Sequence, residues 1–274
     1  MSIPRLEKKH ICWNITSRCN ANCLFCFRND HIKELSVYQN SIILENLMCG
    51  GIQQVAWTGG EALLYDGLVE LLKQAYDGGI ISGVITNGKA LTPEKMEQII
   101  PFIDSVGISL DSTKASTNLE IGRGCEQYEQ VSSVVSHIRN CFPNTIIQLN
   151  TLVSKLNISD IQDIIPFLVK NRINYWKLFR FSALRGMAIT NSNLFAISDY
   201  EFSEFQKTIN SELNKSQFES NRVDIVDTQG FENDYYLIQP NGELVATRNG
   251  KDVVLGNLLK QNIQYLLKMD GYSV

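Results

Sequence analysis

No apolar stretch of this 274-residue chain approaches the roughly 20 residues that a helix needs to cross a bilayer. A helical membrane span is thereby excluded. The opening residues 1–10 lack the apolar core of a signal peptide. Positive charge is not in excess: the net charge of −4 gives no general attraction to nucleic acid or an anionic membrane. Histidine is scarce, and His10, His31 and His137 stand apart with no partner that suggests metal or acid–base chemistry. No internal repeat or low-complexity tract is present, and no cysteine follows Cys141. The remaining composition, 44% hydrophobic and 20% charged, is that of a globular chain able to bury an ample core.

What the chain does have is a cysteine cluster. Of seven cysteines, Cys12, Cys49, Cys125 and Cys141 are scattered singly and read as small hydrophobes. Cys125 is set apart only because it follows Ile121-Gly122-Arg123-Gly124. Cys19, Cys23 and Cys26 fall within eight residues. Three thiolates on one short loop suit three irons of a four-iron cluster, leaving the fourth iron open to a small molecule. The alternative is a zinc site with a distant fourth ligand, for which His31 is the nearest candidate. Thiols kept for metal, and an odd cysteine count, point to a reducing cytoplasm.

Apolar runs alternate with amphipathic segments along most of the chain. Strands are expected at 10–15, 54–57, 80–85, 104–110, 145–153 and 173–181, with helices at 39–49, 64–76, from Thr92, 125–140 and 159–170 between them. Such repeats with short connections indicate an α/β fold with a parallel sheet and right-handed crossovers. Periodicity alone leaves a doubly wound sheet and an open barrel equally available. Beyond about residue 185 the pattern changes to a helix at 197–213 and a hairpin at 235–246 turning on Asn241-Gly242. A strand near 253–255 and a helix at 257–268 follow. Trp13, Trp57 and Trp176 are expected in the core.

The Cys-x3-Cys-x2-Cys spacing, with Phe25 before the last cysteine, resembles the signature of the radical S-adenosylmethionine (SAM) superfamily. Thr58-Gly59-Gly60-Glu61, at the end of the second strand, resembles that family's Gly-Gly-Glu motif. The resemblance implies a (β/α)6 partial TIM-type barrel over 1–184, with a small C-terminal α+β cap over 185–274. It also implies one [4Fe-4S] cluster on Cys19, Cys23 and Cys26, and SAM as co-substrate. Functional groups then belong at the carboxyl ends of the strands. By the same resemblance, Thr58, Gly59, Gly60 and Glu61 hold the methionine end of SAM. Phe25 and Val153 would contact adenine, Ser109 and Asn150 the ribose or carboxylate, and Arg123 the carboxylate. Asn87, Lys177, Arg180 and Arg185 are the substrate-side candidates, with Lys177 and Arg180 expected to face the barrel interior. An external electron donor such as flavodoxin or ferredoxin is expected as a partner.

Further stretches, among them Ile108–Asp111, Ile121–Gly124, Asn150–Val153, Asn174–Phe179 and Asp234–Ile238, resemble the viperin-like branch, which acts on nucleoside triphosphates. Two lysines of that branch are replaced here by Gln54 and Gln148. Each lost cation removes about 1.5–3 kcal/mol of charge-assisted bonding to a polyphosphate. The chain also ends soon after its last helix, at Val274, without the branch's longer tail. The alternative expectation is maturation of a ribosomal peptide, or modification of another metabolite, with a partner protein supplying peptide recognition. Against it, only 18 residues precede Cys19, and no C-terminal cysteines are present to hold auxiliary clusters.

Overall fold

The computed structural model describes residues 10–28, 32–227, 236–249 and 251–271. His31, Asp234 and Tyr235 lie outside the described residues. Six strands follow the expected order: β1 (His10–Asn14), β2 (Gln54–Thr58), β3 (Ile81–Thr86), β4 (Ser105–Ser109), β5 (Ile146–Val153) and β6 (Tyr175–Arg180). All pair in parallel with their sequence neighbours. Between them run α1 (Val37–Cys49), α2 (Leu68–Asp77), α3 (Pro93–Ile99), α4 (Ala115–Glu120), α5 (Gln127–Cys141) and α6 (Ile165–Lys170). Local chemistry sets their ends. Ser36 and Gln39 form a capping box at α1, and Thr92 caps α3 ahead of Pro93. The helix expected at 159–170 is divided into a 3-10 turn, Ile161–Ile164, and α6. Pro166 supplies no N–H to the preceding turn, so one continuous helix cannot form.

The C-terminal portion adds the helices α7 (Gly186–Thr190), α8 (Ser192–Phe195), α9 (Asp199–Lys215) and α10 (Ile263–Met269). Its strands β7 (Val223–Val226), β8 (Tyr236–Ile238), β9 (Glu243–Arg248) and β10 (Lys251–Asn257) join the barrel's own sheet. The order is β10-β9-β8-β1-β2-β3-β4-β5-β6-β7. The segment expected as a cap thus extends the partial barrel at both edges: β7 runs parallel to β6, and β8 parallel to β1. Among the described strands only the β8-β9-β10 meander is antiparallel.

Alternation along the strands separates two faces. Ile11, Trp13, Val55, Trp57, Ile108, Leu149, Trp176 and Leu178 are fully buried in the main core between sheet and helices. Trp13 and Trp57 stack with ring centroids 5.0 Å apart. Cys12, Ala56, Gly83, Gly107, Asn150 and Lys177 occupy the other face. Cys12 on β1 lies within electrostatic reach of Lys177 on β6. Five strand spacings of a flat sheet would separate them by about 24 Å. The sheet therefore curls, and this second face is the inside of the barrel.

Candidate active site

The cysteine loop leaves β1 at its carboxyl end and is clasped from three sides. Gly60 N–H donates to Thr16 O at 2.7 Å and Glu61 N–H to Arg18 O at 2.8 Å. A Cβ on Gly59 would stand 2.5 Å from Thr16 O, and one on Gly60 2.2 Å from Arg18 O. The two glycines are thus required first by the loop's own backbone. On the second side, Leu24 N–H donates to Ile121 O at 3.1 Å, and a Cβ on Gly122 would meet Asn22 O at 2.4 Å. On the third, Ala188 N–H donates to Cys26 O at 3.3 Å. There a Cβ on Gly186 would meet Arg28 O at 2.5 Å, and Asn191 Nδ2 donates to Leu24 O at 2.8 Å. The loop's shape is imposed from outside.

The thiols lie within electrostatic reach of one another. Burial raises the pKa of Cys23, against the opposing charge of Arg123. Cys26 is raised for the same reason, against the N–H of Arg28, which stands 3.4 Å from its Sγ. Among the described residues no group of His, Cys, Asp and Glu is arranged to hold a single metal ion. Ligands of a cluster each take a separate iron and need not converge on one point. A preformed loop with three soft donors and a neighbouring cation fits a cluster carrying thiolate charge.

Glu61 is 1% exposed and sits where β2 ends. Its Oε2 accepts from Asn87 N–H at 2.8 Å and its Oε1 from Leu63 N–H at 3.3 Å. Burial raises its pKa, opposed by these donors. Asn87, at the end of β3, donates through Nδ2 to Asn20 Oδ1 at 2.8 Å and stands 3.8 Å from Cys19 Sγ. Thr58 is in register with Asn14 at the head of the same pair of strands.

Arg123 reaches the loop from the other side. Its Nε donates to Asp111 Oδ2 at 2.7 Å, and its guanidinium lies 5.0 Å from the centre of the Phe25 ring. Burial alone would lower its pKa; Asp111 and the Cys23 and Cys26 thiols outweigh that, and the shift is upward. Asp111 is wholly buried, and its other oxygen accepts from Leu152 N–H at 2.7 Å. The guanidinium keeps two terminal amino groups for a further acceptor, since only Nε meets the carboxylate.

A polar row crosses the inside of the barrel in register: Ser109 on β4, Asn150 on β5, Lys177 on β6 and Asp224 on β7. Gln148 Nε2 donates to Asn150 Oδ1 at 2.7 Å. Lys177 Nζ lies 3.5 Å from Asp224 Oδ2. Arg185 crosses to the opposite edge of the sheet, meeting Asp252 Oδ2 at 2.8 Å and Thr247 Oγ1 at 3.3 Å.

Two expected positions are corrected. Arg180 does not face the interior. It pairs with Asp199 at 2.7 Å, donates to Ile197 O and stacks over Phe202, anchoring the start of α9. It stands three positions beyond Lys177, and an odd spacing puts two strand residues on opposite faces. Val153 likewise is fully buried in the main core, while Leu152 packs in the small cluster under Phe25. Sequence reasoning also passed over Gln127. It is 1% exposed, and its Nε2 donates to Asn87 O at 2.9 Å and Ser109 O at 3.0 Å, tying the ends of β3 and β4 together. A lone glutamine opening a helix carries no signal of that role.

The family model of the radical SAM superfamily matches residues 13–168. The chain belongs to the radical SAM superfamily. It is an enzyme of that family, using a [4Fe-4S] cluster and SAM. The chain is 25% identical to an S-adenosylmethionine-dependent nucleotide dehydratase of Flammeovirga pacifica, over 93% of this chain and 88% of that protein. A second protein of that name, from Selenomonas ruminantium, is 27% identical over 91% of this chain and 90% of its own length. Among solved structures, Streptococcus suis SuiB bound to precursor peptide SuiA superposes with a TM-score of 0.77 at 14% identity. That match covers 94% of this chain but only 64% of SuiB, so the radical SAM likeness there is one of fold. No helix among the described residues is long and apolar enough to cross a membrane.

Proposed function

We propose that this radical SAM enzyme acts on a nucleotide-class substrate held inside the barrel, with its cluster on Cys19, Cys23 and Cys26. One arrangement carries the reading. The Gly-Gly-Glu turn is hydrogen-bonded directly to the cysteine loop, so three thiols and a buried carboxylate share one end of a polar lumen. The similarity to nucleotide dehydratases over nearly the whole chain supports the substrate class.

Held by Cys19, Cys23 and Cys26, a reduced [4Fe-4S] cluster would supply the one-electron reduction of SAM that starts hydrogen-abstraction chemistry. The protein's residues hold and orient. Glu61 accepts the ammonium of SAM with the lone pairs its two N–H donors leave open. Arg123 offers its free edge to the SAM carboxylate while Asp111 fixes its plane. Phe25 lies beside adenine, and Ser109 and Asn150 take sugar hydroxyls. Lys177, the next member of the same row, meets the substrate. Burial of these groups keeps water from the reacting atoms. The electron comes from a small external donor of the flavodoxin or ferredoxin kind, in a cytoplasmic setting. Residues 1–184 form the catalytic body, and 185–274 complete its two edges.

The test is anaerobic reconstitution followed by measurement of 5′-deoxyadenosine. A nucleoside or nucleotide should increase its formation, and Lys177→Ala should remove that increase. A peptide or other metabolite as substrate predicts equal turnover with and without every common nucleotide.

A further inference from the structure

Among the described residues, two cations that face the lumen, Lys177 and Arg185, are each matched by a carboxylate. Lys177 and Arg185 each lie within electrostatic reach of the Cys12 thiol, which places both inside the barrel. Lys177 Nζ is 3.5 Å from Asp224 Oδ2 and Arg185 Nε is 2.8 Å from Asp252 Oδ2. Neither carboxylate is a chance neighbour. Asp224 is the registered partner of Lys177 on the adjoining strand, and Asp252 is cross-strand from Thr247, which Arg185 also contacts. The four charges sum to zero.

We infer that the lumen selects a nucleoside or nucleoside monophosphate over the triphosphate, with Asp224 and Asp252 as the specificity-determining residues. This rests on the nucleotide-class reading above and narrows it. A triphosphate brings roughly three to four negative charges, against about two for a monophosphate. Polyphosphate sites meet that charge with unpaired cations at close range. Here the neighbouring lumen positions carry neutral amides, Gln148 bonded to Asn150 at 2.7 Å. Amides and the Ser109 hydroxyl suit sugar hydroxyls and base edges, whose hydrogen bonds need no net charge. The carboxylates also act against the alternative ligand: a phosphate approaching Lys177 comes near the charge of Asp224, 3.5 Å from that ammonium, and repulsion of that kind sets specificity.

The experiment measures kcat/KM for 5′-deoxyadenosine formation by the reconstituted holoenzyme. The substrates are cytidine, uridine, guanosine and adenosine, each with its mono-, di- and triphosphate. Expected is a response falling along the phosphate series, with nucleoside or monophosphate at least about tenfold above triphosphate. Asp224→Asn and Asp252→Asn should each raise the triphosphate-to-nucleoside ratio, together by about tenfold or more, a change worth about 1.4 kcal/mol. Iron content checks that each variant is loaded. A wild-type preference for triphosphate overturns this inference and leaves the nucleotide-class reading standing. Unchanged ratios in both variants also overturn it. No response to any member of the series overturns the class reading and this inference with it.

Discussion

Asn87 joins the Glu61 carboxylate to the cysteine loop: its backbone N–H binds Glu61 Oε2 at 2.8 Å, and its side chain reaches Asn20 and the Cys19 sulfur. A substitution at Glu61 therefore acts in two ways. Glu61→Ala strands the N–H groups of Leu63 and Asn87, costing about 1–3 kcal/mol for each group left unpaired. It also removes the acceptor for the SAM ammonium. The variant should keep most of its iron, melt lower and bind SAM at least about tenfold more weakly. Unchanged SAM affinity by titration would remove Glu61 from the SAM site.

Loss of a cluster ligand behaves differently. Cys23→Ala leaves the clasps on either side of the loop in place, so the fold should persist while the cluster does not assemble. Iron analysis and the visible absorption of the reconstituted protein decide this. A full iron complement in Cys23→Ala would show that the loop is not the cluster site.

Gly122 and Gly79 form a controlled pair, since both have a positive φ, +84° and +77°. Alanine at Gly79 meets nothing within 4 Å, so only the left-handed backbone penalty of about 1–2 kcal/mol applies. Alanine at Gly122 drives a Cβ to 2.4 Å from Asn22 O and must displace the cysteine loop. Gly122→Ala should lose iron loading, whereas Gly79→Ala should only melt lower. Equal iron in the two variants would mean that the loop yields to pressure from this side.

Arg123→Ala leaves Asp111 buried without its cation and should destabilise the protein by about 3–5 kcal/mol. The double variant Arg123→Met with Asp111→Asn should recover much of that loss, because both buried charges are removed and the amide oxygen still accepts from Leu152 N–H. SAM binding should remain weak in the double variant. Recovery of stability and SAM affinity together would show that Arg123 serves the fold alone.

His10 gives the fold a pH dependence. Burial, with Lys177 nearby, lowers its pKa to about 4, against a hydrogen bond to Gln54 that raises it. The unfolded chain takes up this proton near 6.5, which the folded chain refuses until about 4. Stability therefore falls as pH drops through that window and is level above it, by up to about 3 kcal/mol. Denaturant midpoints of the wild type and His10→Gln should converge on acidification below 6.5 and keep a constant offset above it. A constant offset down to pH 4 would contradict the burial of a neutral imidazole.

The β/α alternation, the cysteine spacing and the Gly-Gly-Glu turn were legible in the sequence because each is a local pattern. The strand β7 was not: Val223–Val226 is too short for periodicity to stand out from its polar surroundings. Nor was the joining of β8 to β1, which are more than 200 residues apart in the chain and direct neighbours in the sheet. Arg180 was misplaced because its odd spacing from Lys177 puts it on the other face of β6, and Val153, assigned by resemblance, because the core face of β5 takes its side chain. Gly122 and Gly186 declared themselves only through the backbone they touch. A close approach between distant segments leaves no local trace.

The clasps on the cysteine loop also order events in time. The loop precedes its supports in the chain, and these come from residues 59–60, 121–122 and 186–191. Chains fold as they emerge, amino terminus first. These thiols nevertheless stay unshaped until the segment through Asn191 has been made. Iron offered earlier would meet a floppy tripeptide-spaced chelator, free to bind in wrong arrangements. Loading belongs after the last of these supports is in place, when the loop has its shape.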